Sequence, residues 1–306
     1  MSRILGIDTS NYTTSIAVVE DGQVVLNSRK MLEVKHGERG LRQSEAFFQH
    51  VSNLPKLLNT PYVRNIDAVC VSTRPRNIEG SYMPVFKAGI SFGEAICHIT
   101  GSPLYGCSHQ EGHIEAASRS IGFTDNEFIA FHVSGGTTEV LRVNRNSSYS
   151  IEKLGGTLDI SIGQLIDRIG VALDLPFPAG KYMDSLALGC RELQERMPST
   201  VKGLEFNLSG QENCGLRYIK DGYTQEETAY ITMMCIYKTL EKLISHVFEL
   251  YSLPVLITGG VASSNFLKQK LCKRFRKDRL LFSSPQLAGD NAVGTAYIGY
   301  EKYNNR

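Results

Sequence analysis

The chain has 306 residues, 42% of them hydrophobic, enough to bury a sizeable core in one large domain or, as the patterning below favours, two moderate ones. No stretch approaches the ~18 uninterrupted apolar residues that cross a bilayer, and the N-terminus lacks the charged-then-apolar pattern of a signal peptide, so a cytoplasmic protein off the membrane is expected. Seven cysteines without CxxC spacing argue against a disulfide framework or a thiolate zinc site, and a net charge of +2 is too mild to establish a nucleic-acid partner.

The chain opens with a β-meander: Ile4 to Asp8, Ser15 to Val19, then Gln23 to Leu26 after the Asp21-Gly22 turn. A helical pattern runs from Ser44 to Leu58, and an apolar strand follows from Ala68 to Ser72. The arrangement begins again at Phe128 to Val133, a turn at Gly135-Gly136, Thr138 to Val143, and a third strand near Tyr149 to Leu154. Helical patterns follow over Gly163 to Leu173 and Thr224 to Tyr251, then a strand from Val255 to Thr258. Phe266 to Phe275 reads as a helix, Leu280 to Phe282 as a short strand, and Asp290 to Tyr303 as a closing helix with Asp290 as its N-cap. Each half therefore reads as a mixed sheet with helices packed on it. The polar segment from Gly122 to Glu127 is the expected boundary. It leaves residues 1–122, completed by the last helix at about 288–306, as one lobe and 123–287 as the other, with a ligand cleft between them.

Two imidazoles four residues apart on a helix share one face and grip a divalent metal, which is the spacing in His109-Gln-Glu-Gly-His113. Surface histidine pairs have the same spacing. Gln110 stands where a zinc protease of the HExxH type carries its base, so a peptidase is disfavoured. Asp290 is a distant third ligand or simply a cap, and Asp8 is a weaker candidate that could instead hold the Thr9-Ser10 turn.

Three glycine- or hydroxyl-rich turns present backbone N–H groups to phosphate oxygens: Asp8 to Thr14, Ser134-Gly-Gly-Thr-Thr138, and Gly259-Gly-Val-Ala-Ser-Ser264. Singly each is also an ordinary turn; at matching places in two similar halves they point to a clamped nucleotide. No P-loop or dinucleotide fingerprint is present. Asp159 reads as the N-cap of the helix that carries Gln164 and Asp167, and Asp167 falls where a carboxylate meets ribose hydroxyls. The Leu175-Pro-Phe-Pro-Ala-Gly180 loop suits close backbone approach to a flat ligand. Lys268, Lys270, Lys273, Arg274, Arg276, Lys277 and Arg279 face one acidic residue, Asp278, as a solvated helix face or a surface that steers a phosphate backbone.

In this order the motifs resemble the threonylcarbamoyladenosine synthase family, TsaD in bacteria, nearly end to end. Gly6-Ile-Asp-Thr-Ser10 matches a GIETS-type turn, Ser108-His-Gln-Glu-Gly-His113 an NHxxGH-type helix, and Ser134-Gly-Gly-Thr-Thr138 an SGGHT turn. Gly163-Gln-Leu-Ile-Asp-Arg168 matches GExFDK, Phe177-Pro-Ala-Gly180 a YPGG-type loop, Gly259 to Ser264 a GGVAAN-type turn, and Gly289-Asp-Asn-Ala292 a TDNA-type cap. Thr137, Gln164, Ala179 and Ser264 depart from the family's His, Glu, Gly and Asn, as in a divergent paralogue.

The resemblance implies an α/β fold of the actin-like ATPase (ASKHA) type, two ribonuclease-H-like lobes with mixed sheets. It implies one divalent metal, iron or zinc, on His109, His113 and Asp290. It also implies threonylcarbamoyl-AMP or ATP/AMP on Ser134, Gly135, Gly136, Thr137, Thr138, Asp167, Gly180, Asp184, Gly259, Gly260 and Ser264. The expected activity is transfer of threonylcarbamoyl to the tRNA adenosine beside the anticodon, with tRNA and other subunits of a transfer complex as partners, and Lys268 to Lys277 as the candidate tRNA contact. The alternatives are a carbamoyltransferase of the same fold with another acceptor, a non-catalytic nucleotide-binding subunit, and a sugar kinase or ATPase.

Overall fold

The structure, a computed structural model, describes residues 2–10, 12–33, 41–145, 149–287, 289 and 291–305. Its elements in chain order are β1 (Arg3–Asp8), β2 (Thr13–Glu20), β3 (Gln23–Met31), α1 (Gln43–Leu58), β4 (Ala68–Arg74), α2 (Phe86–Thr100), β5 (Leu104–Ser108) and α3 (His109–Arg119). Then come β6 (Glu127–Val133), β7 (Thr138–Asn144), β8 (Ser150–Thr157), α4 (Ile162–Ala172), α5 (Gly180–Gly189), β9 (Val201–Lys202), β10 (Glu205–Phe206), α6 (Ser209–Lys220) and α7 (Gln225–Leu250). The chain closes with β11 (Val255–Thr258), α8 (Asn265–Arg274), β12 (Leu280–Phe282) and α9 (Val293–Asn304). The chain divides into two compact units, Met1–Thr124 with Gly289–Arg306, and Asp125–Ala288.

The first unit holds a five-stranded sheet in the order β3-β2-β1-β4-β5, antiparallel among the meander strands and parallel from β1 to β5. β1 and β2 are apolar and buried along nearly their whole length because helices cover both faces, whereas the exposed β3 closes an edge. Successive side chains alternate faces, so Leu5, Ile7, Val69 and Val71 meet Leu54 and Ala88 on one side, while Cys70 and Cys107 meet Ile298 of α9 on the other. Gly6 makes the second face possible. A Cβ there would lie 2.6 Å from both Ala292 O and Ala296 N, so only glycine lets α9 rest on β1.

The second unit repeats this plan. Its sheet runs β12-β11-β6-β7-β8-β10-β9, with β6, β7 and β8 antiparallel and β11 parallel to both β6 and β12. β8-β7-β6-β11-β12 thus reproduces β3-β2-β1-β4-β5, which is the duplication expected from the recurring meander. Ile129, Phe131 and Ile257 pack with Ile162, Leu165 and Ile169 of α4 and with the buried stripe of α7, including Ile236, Leu240 and Leu243. No described helix is long and apolar enough to cross a membrane.

Two local readings of the sequence are corrected. Asp159 does not cap α4: Ser161 does, its Oγ accepting from Gln164 N while Gln164 Oε1 accepts from Ser161 N, and Asp159 instead accepts from Leu208 N and Ser209 N at the start of α6. The closing helix begins later than expected, at Val293, whose N–H donates to Asn291 Oδ1 at 3.0 Å. Asp290 itself lies outside the described residues. α2, β5, α5 and α6 carry no element in the sequence reading.

Candidate metal centre and nucleotide cradle

In the first unit, strand order brings distant residues together. β1 and β5 flank β4, so Asp8 at the end of β1 and Ser108 at the end of β5 emerge on the same edge. Ser108 starts α3 with a capping box: its Oγ accepts from Glu111 N, and Glu111 Oε2 accepts from Ser108 N. Glu111 is therefore engaged as a helix cap, which explains a glutamate at that position without a base role. His109 and His113 project from the first turns of α3 with ring centroids 4.2 Å apart at 79°.

Asp8, 1% exposed, places Oδ2 2.8 Å from His109 Nδ1, and Ser10 Oγ lies 2.7 Å from the same nitrogen. Burial alone would push the Asp8 carboxyl up, but the His109 imidazole and the Ser10 hydroxyl and N–H outweigh it and hold the group below the usual carboxylate range. An ionised carboxylate only accepts, so His109 Nδ1 bears a proton and donates it to Asp8. This is how carboxylates orient metal-binding histidines.

Among the described residues no group of three or more His, Cys, Asp or Glu side chains converges on a metal position. Two imidazoles on one helix face, one oriented by a buried carboxylate, fit part of such a site. The first turn of α9 adds a further relation. A Cβ on Gly294 would lie 1.8 Å from Gly112 O, so α9 starts in direct contact with α3 at the residue before His113.

In the second unit the turn between β6 and β7 is docked on the start of α4. Ser134 N donates to Thr137 O at 2.8 Å, Ser161 Oγ donates to Gly135 O at 2.8 Å, and Thr138 Oγ1 accepts from Ile162 N at 2.9 Å. A Cβ on Gly163 would sit 2.5 Å from Gly135 Cα, so the helix lies flush beneath the turn. The helix's N-terminal partial positive charge thus lies beside the turn's backbone amides. Thr138 itself is buried and serves α4. A Cβ on Gly135, Gly136, Gly180 or Gly260 would meet nothing within 4 Å, so these glycines border open space.

Two carboxylates tie the neighbouring loops. Asp167 Oδ1 accepts from Ala179 N at 2.8 Å, just before Gly180, and burial pushes its carboxyl above the usual range. Asp184 accepts from Ser264 Oγ, Asn265 N and Phe266 N, anchoring the last glycine turn to α5. Gly259 is required there, since its φ is +94° and a Cβ would lie 2.4 Å from Val133 O. Three departures from the family pattern fit locally. Gln164 keeps a capping box, Ser264 caps α8 by accepting from Leu267 N, and the Ala179 methyl fills the space over Gly170.

The basic run divides on folding. Lys268, Lys270, Lys273 and Arg274 ride on α8; Arg276 pairs with Asp278 at 2.8 Å; Arg279 stacks over Phe248 at 4.1 Å. Asp8 holds the Thr9-Ser10 turn as expected, accepting from Ser10 N and Oγ, whereas Ser161, which the sequence reading did not single out, carries much of the wiring of the second site. Only a serine just before an apolar helical pattern could have signalled Ser161.

Residues 48–297 match the family TsaD, described as tRNA N6-adenosine threonylcarbamoyltransferase. The chain is 29% identical to the tRNA N6-adenosine threonylcarbamoyltransferase of Thermosipho africanus, over 98% of this chain and 94% of that one. It is 30% identical to the protein of the same description from Thermodesulfovibrio yellowstonii, again over 98% and 94%. Component A of (R)-2-hydroxyglutaryl-CoA dehydratase from Acidaminococcus fermentans superposes with a TM-score of 0.61 at 14% identity, over 99% of this chain and 100% of that one, and shares the actin-like ATPase fold.

Proposed function

The chain belongs to the tRNA N6-adenosine threonylcarbamoyltransferase family, and from that membership we propose how its own residues serve the transfer. The protein is a transferase that acts in tRNA processing, moving a threonylcarbamoyl group to the N6 amine of an adenosine in tRNA. The observation that carries this reading is the match over residues 48–297, joined by relatives of one description over nearly the whole chain. The finer reading places the acceptor beside the anticodon and takes threonylcarbamoyl-AMP as donor. The amine nitrogen attacks the carbamoyl carbon, the new C–N bond forms, the C–O bond to the phosphate breaks, and AMP leaves as the amine gives up a proton.

His109 and His113 hold one divalent metal, iron or zinc, with Asp290 as the third ligand; the contact between Gly294 and Gly112 supports that choice, because it seats the helix just after Asp290 against the histidine helix. Such a metal supplies Lewis-acid polarisation of donor oxygens. Asp8 and Ser10 hold the His109 ring in place through its Nδ1. The Ser134–Thr138 turn and the start of α4 receive phosphate through backbone amides. Asp167 meets ribose hydroxyls, Gly180 and Gly260 allow close approach of the nucleotide, and Gly259 shapes the turn that carries Gly260. Asp184 and Ser264 act by holding the last turn in place. Residues 1–122 with the closing helix and 123–287 form the two lobes, the cell compartment is the cytoplasm, and other subunits of a threonylcarbamoyl-transfer complex are partners. Lys268, Lys270, Lys273, Arg274, Arg276 and Lys277 contribute the tRNA contact.

The direct test incubates the purified chain with threonylcarbamoyl-AMP and unmodified tRNA, digests the RNA to nucleosides and analyses them by mass spectrometry. Threonylcarbamoyladenosine from the position beside the anticodon is expected. Its absence with partner proteins supplied, or label in a different acceptor, would overturn the assignment.

A further inference from the structure

A recess in the second unit has a volume of about 350 Å³ and gathers cations from three parts of the chain. Arg196 follows α5, Lys238 lies on α7, and Lys270, Lys273 and Arg274 lie on α8; Glu192 is the one carboxylate on the wall. This local excess is larger than the +2 carried by the entire chain, so it arises from placement, not composition. Arg196 and Lys238 lie outside the basic run visible in the sequence.

The recess is built rather than incidental. Behind the wall, Glu241 accepts from Lys238 Nζ at 2.7 Å and from Tyr237 Oη at 2.9 Å and forms an ion pair with Arg274 Nε at 3.3 Å, which fixes two of the five cations in place. Burial alone would push the Glu241 carboxyl up, but the bonds from Lys238 and Tyr237 outweigh it and keep it ionised. Lys270 Nζ lies 5.1 Å from the Phe266 ring centroid and 5.9 Å from that of Tyr230, so its stem is supported by aromatic faces. Among the described residues Arg196, Lys270 and Lys273 form no ion pair, which leaves three cations for an external anion.

We infer that this recess binds the phosphate backbone of the RNA substrate and forms part of the surface on which tRNA docks. The identity of the polyanion rests on the transferase reading. The shape favours a polymer: Arg196 and Lys273 are exposed and the Arg274 side chain is 58% exposed, whereas a small nucleotide needs enclosing walls. Backbone phosphates need only closely spaced cations on an open surface.

The test measures unmodified-tRNA affinity of the full-length chain against salt, for wild type, Arg196→Gln/Lys273→Gln, and the control Lys202→Gln/Lys220→Gln, which removes two exposed cations elsewhere in the same unit. Each lost phosphate contact lowers the slope of log K against log salt by about 0.7–0.9, so the recess variant should lose about 1.4–1.8 in slope. With the curves meeting near 1 M, affinity falls roughly 25- to 60-fold at about 0.1 M salt. The control should stay within about threefold, and in turnover the recess variant should raise KM for tRNA and leave kcat unchanged. Wild-type affinity and slope in the recess variant would overturn the inference while leaving the transferase assignment intact, since that assignment fails only if wild type makes no threonylcarbamoyladenosine. Displacement of tRNA by millimolar inorganic phosphate at constant ionic strength would overturn it in favour of a small-anion site. Unchanged tRNA binding with lost capture of a partner protein would overturn it in favour of a protein interface.

Discussion

Replacing Gly294 by alanine sets two effects of opposite sign against each other. Alanine is favoured over glycine by about 1 kcal/mol in a helix interior and by less in the first turn, where Gly294 lies. Here the added Cβ would lie 1.8 Å from Gly112 O and 2.7 Å from Ala116 N, whereas real Cβ contacts stay beyond 3.0 Å. The two helix backbones must therefore part by at least about 1.2 Å, since neither contact is the end of a flexible side chain. That displacement opens a seam that also holds Thr295 against Gly112 and Arg119 over Tyr297, with Ala116 and Thr295 fully buried. Overpacking of this kind costs about 1–3 kcal/mol and more where backbone is the obstacle, so the clash wins and the variant loses about 1–2 kcal/mol net. Urea unfolding should show a lower midpoint at unchanged m. Gly210→Ala in α6, where the Cβ meets nothing within 4 Å, should be neutral or stabilised by up to about 1 kcal/mol. Gly294→Ala as stable as wild type would refute the close contact between α3 and α9 and, with it, the support it lends to Asp290.

Ser161→Ala removes the α4 cap and the bond to Gly135 O, and should cost about 1–2 kcal/mol in urea unfolding while weakening AMP binding measured by calorimetry. Gly259→Ala combines a φ of +94° with a Cβ 2.4 Å from Val133 O; a thermal scan should show destabilisation of at least about 2 kcal/mol, and a neutral result would contradict the turn geometry. For Asp159, burial alone would raise the carboxyl, but bonds from Ser209, Leu208 and Ile160 outweigh it and hold it far below its usual value. A carboxylate depressed in the folded state stabilises above its unfolded value near 4 and loses that contribution as pH falls through the folded one. Urea midpoints of wild type should therefore drop below about pH 4 more steeply than those of Asp159→Asn.

Much of the fold is legible because its signals are local. β1, β6 and β11 are short apolar runs between turn residues, and α7 shows an apolar stripe behind a Thr224-Glu227 capping box. α2 is hidden because two of its buried positions are Gly89 and Gly93, which read as breakers but allow the helix to lie on Thr9 and Val71. α6 is hidden because its N-terminus is satisfied by Asp159, some fifty residues earlier in the chain. The same division holds for the sites. The i, i+4 spacing of His109 and His113 is visible, while the bond from His109 to Asp8 depends on β4 lying between β1 and β5, a strand order no local pattern encodes. Lys238 joins Lys270 and Lys273 through the packing of α7 on α8, and Arg196 is brought to them by the segment that follows α5.

The most direct measurement pairs metal content with turnover. The purified chain and its His109→Ala/His113→Ala variant are analysed for bound iron and zinc, then assayed with threonylcarbamoyl-AMP, unmodified tRNA and partner proteins. About one metal per wild-type chain, little in the variant, and transfer to tRNA reduced by at least about a hundredfold are expected. Equal transfer by both proteins would contradict a metal-assisted mechanism at these histidines, whatever the metal content.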